Sequence, residues 1–361
     1  DKLIHEQDIF GRNPIEAAIF SGNNSLLVDL PSTYLENYSS FLPLTSQTQL
    51  NVTIGQKDNK LIQTAIISHP YCRLHHTCPP SAVDHPSAPP ENIKRLSVLL
   101  DHENGILRSS DIESNTLFVE ECRAAAISDI LRVHEWSYVR KIQSTCEDVA
   151  AVFGKSLTTI GGEDEEAEHN VGIVHLDSDT AISKRSFDAA LRAAGSLCQA
   201  VDMIVNKQVR NAFCAVRPPG HHAGPSGLMS GPDAGAGAES HGFCLLNNIS
   251  IGAAYAMNVH RHLIKKVAIV DFDVHHGNGT EETIKWLNPS ITTHDIVSPN
   301  IFGQIHTPRY KPWYDIDDAK NVLFISVHGY GPRERGLERF LPAAAFYPGT
   351  GKTIIPNENN N

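Results

Sequence analysis

The decapeptide Asp271-Phe272-Asp273-Val274-His275-His276-Gly277-Asn278-Gly279-Thr280 follows an apolar run, Val267-Ala268-Ile269-Val270. Strand side chains alternate between faces, so Asp271, Asp273 and His275 project together from the end of a buried strand. Two carboxylates and an imidazole on one face lose hydration and repel unless a cation or hydrogen bonds compensate them. Oxygen and imidazole donors without thiolate suit Zn²⁺ or a similar divalent ion in a catalytic site. The plainer alternative is a hydrogen-bonded polar cluster closing a strand. A second string, Arg217-Pro218-Pro219-Gly220-His221-His222-Ala223, also follows an apolar run, Ala212-Phe213-Cys214-Ala215-Val216. Paired imidazoles beside metal-activated water could supply a general base and an electrostatic stabiliser. Each needs an orienting partner on its other ring nitrogen, and Asp271 and Asn278 are the candidates. An imidazole facing a carboxylate and one facing a neutral amide would differ in basicity, which suits a division of labour. A third string, His241-Gly242-Phe243-Cys244-Leu245-Leu246-Asn247-Asn248, could form a narrow apolar wall or ordinary core.

The elements around these strings are those of an α/β fold. Residues 212–216, 267–270 and 322–327 read as strands of a buried parallel sheet, with helical spacing over 248–261 between the first two. Strand, crossover helix and strand is a βαβ unit. In open α/β sheets the ligand site lies beyond the carboxyl ends of the strands, which is where the histidine-bearing strings fall. Residues 186–205 form a good amphipathic helix, 91–100 have helical spacing, and 61–67 suit a further buried strand. The Pro-rich stretch 78–90 reads as loop, and the acidic run 163–168 as a solvated surface. Residues 1–63 are polar and motif-free, an N-terminal extension of unknown role; residues 64–361 read as one catalytic domain.

Composition narrows the classes. A net charge of -11 excludes a generally basic, DNA-coating protein and suits a cationic partner such as a lysine-rich tail. No direct sequence-specific nucleic-acid binding is expected. Seven scattered cysteines read as reduced thiols rather than a disulfide framework. No apolar run approaches ~18 residues and the N-terminus lacks a signal pattern, so neither membrane insertion nor secretion is expected. Without a secretory signal, sequons such as Asn51-Val52-Thr53 carry no weight. Gly351-Lys352-Thr353 resembles the end of a phosphate-binding loop, but Phe346 stands where that loop needs Gly.

Together these strings resemble the zinc-dependent histone deacetylase family, its class II branch in particular. The resemblance rests on Arg217 to Ala223, Gly242-Phe243-Cys244, Asp271 to Thr280 and Phe346-Tyr347-Pro348-Gly349-Thr350-Gly351. Weaker support comes from Arg132-Val133-His134 with Tyr138, and from Asp177-Ser178-Asp179-Thr180. It runs from about Thr64 to Gly351 and implies an arginase-like open sheet, mostly parallel, with helices on both faces. By resemblance, Asp273 and His275 are two of three zinc ligands, His222 the general base and His221 its more electrostatic neighbour. Asp271 and Asn278 orient these histidines. Asp271, Asp273, His275 and Ser326 lie where the family holds a structural potassium ion. Gly242, Phe243 and Tyr347 line the acyl-lysine tunnel, with Tyr in place of the usual Phe, and Asp179 binds the substrate backbone at the rim. The implied reaction is hydrolysis of N-ε-acetyl-lysine in histone tails or other proteins, in the nucleus or cytoplasm and alongside co-regulator proteins. The rivals are an amidohydrolase of acetylated polyamines or similar small amides, and an acyl-lysine-binding scaffold with a degraded centre.

The chain departs from the pattern in several places. The third zinc ligand, an Asp, and the transition-state Tyr or His are expected beyond Asn361; the opening Asp1 and the early stop both read as incomplete ends. Insertions fall near 226–240, a Gly- and Ala-rich flap, and at about 291–318 and 329–345. His241 replaces the usual Met, and Asn92 stands where an Arg often lines the acetate exit. Cys72, His75 and Cys78 could hold a second, structural zinc as in some class II members, with His169 or His175 as the distant ligand; free cysteines beside surface histidines are the alternative.

Overall fold

The computed structural model describes residues 64–154, 171–227, 241–298, 301–329, 347–348 and 350–351. Along the chain run β1 (Thr64–Ile67), α1 (Lys94–Leu100), β2 (Thr116–Val119), α2 (Trp136–Gly154), β3 (Ile173–His175), β4 (Ala181–Ser183) and α3 (Ser186–Val205). There follow β5 (Asn211–Cys214), α4 (Asn248–Val259), β6 (Val267–Asp271), α5 (Asn278–Lys285), β7 (Ser290–Ser298), β8 (Ile301–Arg309) and β9 (Val322–Ser326), with short helical turns between elements.

Strand β1 pairs in parallel with β2 on one side and β5 on the other. Its alternating side chains feed two cores. Ala65 and Ile67 join Ala200, Met203 and Val209 from α3 and the turn after it; Ile66 joins Leu96 and Leu100 of α1 on the opposite face. Helices therefore cover both faces of this sheet, as expected of a parallel one. The second parallel pair, β6 with β9, runs in register from Val267↔Val322 to Asp271↔Ser326. Val267, Ile269, Val322 and Phe324 face the largest core, built with Ile142, Leu191, Ile251 and Ala254 from α2, α3 and α4. On the other face Val270 and Leu323 are each 56% exposed. The fold is α/β with a mostly parallel sheet. Strands β5 and β6 are parallel neighbours in sequence only: among the described residues, each pairs with a different partner.

The helices match their periodicity with small boundary changes. Helix α3 occupies the whole amphipathic stretch 186–205. Helix α1 begins at Lys94 rather than Glu91, because Glu91 is drawn into a buried ion pair with Arg217 at 2.6 Å. Helix α4 starts where the Asn247 side chain accepts the Ser250 N–H, satisfying one free donor of its first turn. It ends at Val259, where His260 turns its Nε2 to Asp202 Oδ1 at 2.7 Å. The insertion at 291–318 holds most of an antiparallel ribbon, β7–β8, rooted by Arg309 on Glu282 (2.7 Å) and over the Trp286 ring. No helix among the described residues is long and apolar enough to cross a membrane. Residues 1–63 and 330–346, and most of the flap, lie outside the described residues.

Candidate active site

Two segments meet at the carboxyl ends of β5 and β6. The loop after β5 is pinned by backbone bonds: Thr280 N donates to His221 O, Leu245 N to Pro219 O and Ala223 N to Gly220 O. The Asn247 side chain holds Ala223 O at 3.0 Å. This presents His221 and His222 side by side, ring centroids 4.0 Å apart. His221 Nδ1 lies 2.9 Å from Asp271 Oδ2, and His222 Nδ1 lies 2.8 Å from Asn278 Oδ1. Asn278 Oδ1 also accepts the Gly279 N–H, so it serves as the acceptor and His222 Nδ1 carries the proton. His222 Nε2 then bears the lone pair. Burial, then the adjacent His221, brings the His222 pKa down to about 3, against the opposing bond to Asn278. The ring is neutral at ordinary pH. Burial alone would raise the Asp271 pKa; the bond from His221 leads the contacts that hold it below the usual carboxylate value. Gly277 permits this approach, since a Cβ there would collide with Asp271 Oδ2.

Beyond β6 the chain folds back on its own carboxylates. Asp273 N donates to Asp271 Oδ1 (3.1 Å) and His275 N to Asp273 Oδ1 (2.8 Å). His275 Nδ1 and Asp273 Oδ1 stand 3.3 Å apart. Two donors each about 2.0–2.1 Å from a tetrahedral ion lie about 3.3–3.4 Å apart, so the pair fits two positions of a zinc site. A third donor is not found nearby: among the described residues, no three His, Cys, Asp or Glu side chains form a group able to hold a metal. Ser326 is the register partner of Asp271, and Asp271 O accepts the Val327 N–H, which brings the candidate potassium residues to one strand end. The Ser326 hydroxyl faces His328 Nδ1 at 2.8 Å.

The residues expected to line a tunnel also converge. Tyr347 stands edge-on to His222 and His275, at centroid distances of 5.1 and 5.4 Å. Gly242 has φ +51, and a Cβ there would collide with the His222 ring and crowd the Tyr347 hydroxyl. Phe243 has φ 69, the left-handed region that bulky residues rarely enter. Asp179 lies half-buried, its Oδ1 accepting the Thr180 hydroxyl at 2.9 Å.

The second metal site is not assembled among the described residues. His75 is buried with Nδ1 on Ser186 Oγ (2.7 Å), and Cys72 packs its side chain into the core under α1. His175 is exposed on β3, and His169 lies outside the described residues. The cause is the short 3-10 helix Pro70–Arg73, which turns Cys72 inward.

Three contributors went unassigned in the sequence. Asp177, Thr180 and His241 form a bonded network beside Asp179 and Phe243. His276 and His328 grip the loop carrying Tyr347 through Thr350 Oγ1 (2.8 Å) and Gly351 O (3.1 Å). Arg217 pairs with Glu91 under the histidine loop. Asp177, Thr180, Arg217, His241 and His276 all stand inside the strings singled out in the sequence, which was the available signal; His328 stands outside them.

With this geometry in view, comparison with known proteins is informative. The family model described as histone deacetylase domain matches residues 89–359. Type-2 histone deacetylase 1 of Dictyostelium discoideum is 36% identical over 279 residues, 69% of this chain and 17% of that protein. Histone deacetylase 10, chloroplastic, of Oryza sativa subsp. japonica is 31% identical over 277 residues, 73% of this chain and 54% of that protein. Among solved structures, the crystal structure of the HDA15 HD domain is similar with a TM-score of 0.51 at 26% identity, covering 81% of this chain and 57% of that one. The chain thus spans only part of each relative, but the family model covers well over half of it. It belongs to the histone deacetylase family.

Proposed function

We propose that this chain carries the proton-transfer half and two metal ligands of a class II, zinc-dependent protein-lysine deacetylase. The observation that carries the reading is the histidine pair. Two adjacent imidazoles have different partners, a carboxylate at 2.9 Å and an amide oxygen at 2.8 Å, and both stand over the Asp273–His275 donors. When bound there, Zn²⁺ supplies Lewis-acid polarisation of an amide carbonyl and of water. His222, neutral and with Nε2 free of its own proton, accepts the proton that the attacking water loses. His221, its Nδ1–H bonded to Asp271, places a polar ring edge beside that transfer and stabilises the charge that develops. Phe243 and Tyr347 exclude water from the methylene stem of the lysine, and Asp179 accepts from the substrate backbone.

The substrate class follows from the rim and the charge. An acetyl-lysine in a cationic segment, such as a histone tail, complements a chain of net charge -11. Nuclear or cytoplasmic residence, co-regulator partners and a potassium ion at Asp271, Asp273, His275 and Ser326 belong to the same proposal. The test is His222→Ala in the full-length, zinc-loaded protein. Hydrolysis of an acetyl-lysine peptide should fall about 10²–10⁴-fold, with zinc content unchanged. Unchanged turnover would overturn the base assignment. Strict preference for free acetylated polyamines would favour the small-amide reading, and binding without turnover the scaffold.

A further inference from the structure

Asp177 is the hub of the tunnel mouth. Its side chain is 8% exposed and gathers four N–H groups. Oδ1 accepts from Asp179 N (3.0 Å) and Thr180 N (2.8 Å); Oδ2 accepts from His241 N (2.9 Å) and from His241 Nδ1 (2.5 Å). Around this carboxylate, Thr180 Oγ1 accepts the Phe243 N–H at 3.1 Å and donates to Asp179 Oδ1 at 2.9 Å. The rim carboxylate and the tunnel wall are therefore tied through one side chain. The left-handed backbone at Gly242 and Phe243 is anchored at both ends, His241 by Asp177 and Phe243 by Thr180. Strained backbone of this kind persists only when its surroundings over-determine it.

His241 itself is chosen for its Nδ1. The ring is buried, and among the described residues its Nε2 has no hydrogen-bond partner. An imidazole with one nitrogen left unpaired is a costly way to fill apolar space. Tyr138 stacks on the ring at 5.9 Å and 9°, and donates its hydroxyl to Leu245 O at 2.6 Å, which fixes the plane in which Nδ1 meets Asp177. Burial would raise the Asp177 pKa, but the bond from His241 leads the contacts that hold it well below the usual value.

We propose that Asp177 and His241 are positioning residues that lock Asp179 and Phe243 into one unit, so that an acyl-lysine is gripped by its peptide backbone as well as by its acyl end. The inference rests on the deacetylase reading above. It is tested in the full-length, zinc-loaded protein with two substrates: an acetyl-lysine peptide, and N-butylacetamide, which has the acyl-amine end but no peptide backbone. His241→Leu should raise the peptide KM about tenfold, the scale of one charge-assisted hydrogen bond, with kcat within about twofold. For N-butylacetamide, which keeps the stem beside Phe243 but lacks the backbone that Asp179 would hold, kcat/KM should fall by clearly less than for the peptide. His241→Asn, whose Nδ2 reproduces the lost donor, should restore most of the peptide affinity. Asp177→Asn, which places an amide against several donors, should exceed His241→Leu in the same direction. Calorimetric titration of the peptide into His222→Ala and into His222→Ala with His241→Leu should give the same tenfold difference without turnover. Equal losses on both substrates, no rescue by Asn, or an unchanged peptide KM would each overturn the proposal. If the parent protein hydrolyses neither substrate, the deacetylase reading fails instead, and the calorimetric comparison decides the role of the pair by itself.

Discussion

The two halves of the candidate site are built to different standards of rigidity. On the histidine side, His222 is 2% exposed, its Nδ1 is committed to Asn278, and its loop is held by backbone bonds from Leu245 and Thr280, two segments distant in sequence. On the strand-end side, the side chains of Asp273 and His275 are 46% and 37% exposed, and the bonds that fold their turn, Asp273 N to Asp271 Oδ1 and His275 N to Asp273 Oδ1, span two residues each. The half proposed to handle the proton is preorganised by neighbours far away in sequence. The half proposed to hold the metal is a short-range turn whose geometry an ion would complete. The former should therefore behave as part of the core, and the latter as a ligand-dependent surface.

The largest effect should come from the exposed half. Asp273→Asn keeps the shape and removes the charge from one of two metal donors. Zinc content after dialysis should fall to near zero, and peptide hydrolysis by about 10³-fold or more, since catalytic sites depend on every ligand. The unfolding free energy of the metal-free chain should change by less than about 0.5 kcal/mol, as for other half-exposed positions. A large loss of metal-free stability would mean that this half is also core-like, and the contrast would collapse.

A smaller effect tests the buried half. His134 is wholly buried, with Nδ1 on Gly224 O at 2.9 Å and Nε2 accepting the Asn247 N–H at 2.8 Å. It thereby joins the root of the flap to the start of α4. Both nitrogens are committed only in the neutral ring; a second proton would expel Asn247. Burial chiefly lowers its pKa, to about 4. The unfolded ring titrates near the ordinary histidine value of 6.5, so protons favour the unfolded chain below that value. Stability is fully present above about pH 6.5 and declines as pH falls, by about 3 kcal/mol for this group on reaching pH 4. Denaturant melts of the metal-free chain at pH 7.5 and 4.5 should show His134→Gln losing less on acidification than the parent, by about 2 kcal/mol or more. Equal losses would show that His134 is not the sensor.

What was legible in the sequence follows the same divide. Strand β6 and its polar decapeptide were legible because period two and a burst of charge are local signals. Helix α3 was legible because its apolar stripe faces a core. The β7–β8 ribbon was not: Ile291 and Ile305 stand 69% and 51% exposed, so no core imposes a pattern on them. Asp177 and His241 lie 64 positions apart and meet only through loop geometry, which no spacing rule encodes. Cys72, His75 and Cys78 show the converse: close spacing suggested convergence, and among the described residues they are not assembled, the 3-10 turn at Pro70–Arg73 sending Cys72 into the core.

The smallest effect separates the two histidines themselves. Asn278→Ala removes the acceptor of His222 Nδ1 and leaves that N–H buried and unpaired. The ring is then free to adopt the other tautomer, with its proton on Nε2, which cannot act as a base. Loss of such an orienting partner typically costs 10–100-fold, and hydrolysis should fall by about tenfold or more, with zinc retained. Asn278→Asp is the sharper variant, because it gives His222 a carboxylate like the Asp271 that faces His221. A carboxylate favours the imidazolium, so the His222 pKa should rise from its depressed value of about 3. A base is lost where it becomes protonated, so the acid limb of the kcat/KM profile should move to higher pH, with more loss at pH 6 than at pH 8. An acid limb that stays in place would mean that burial, rather than the partner on Nδ1, sets the basicity of His222.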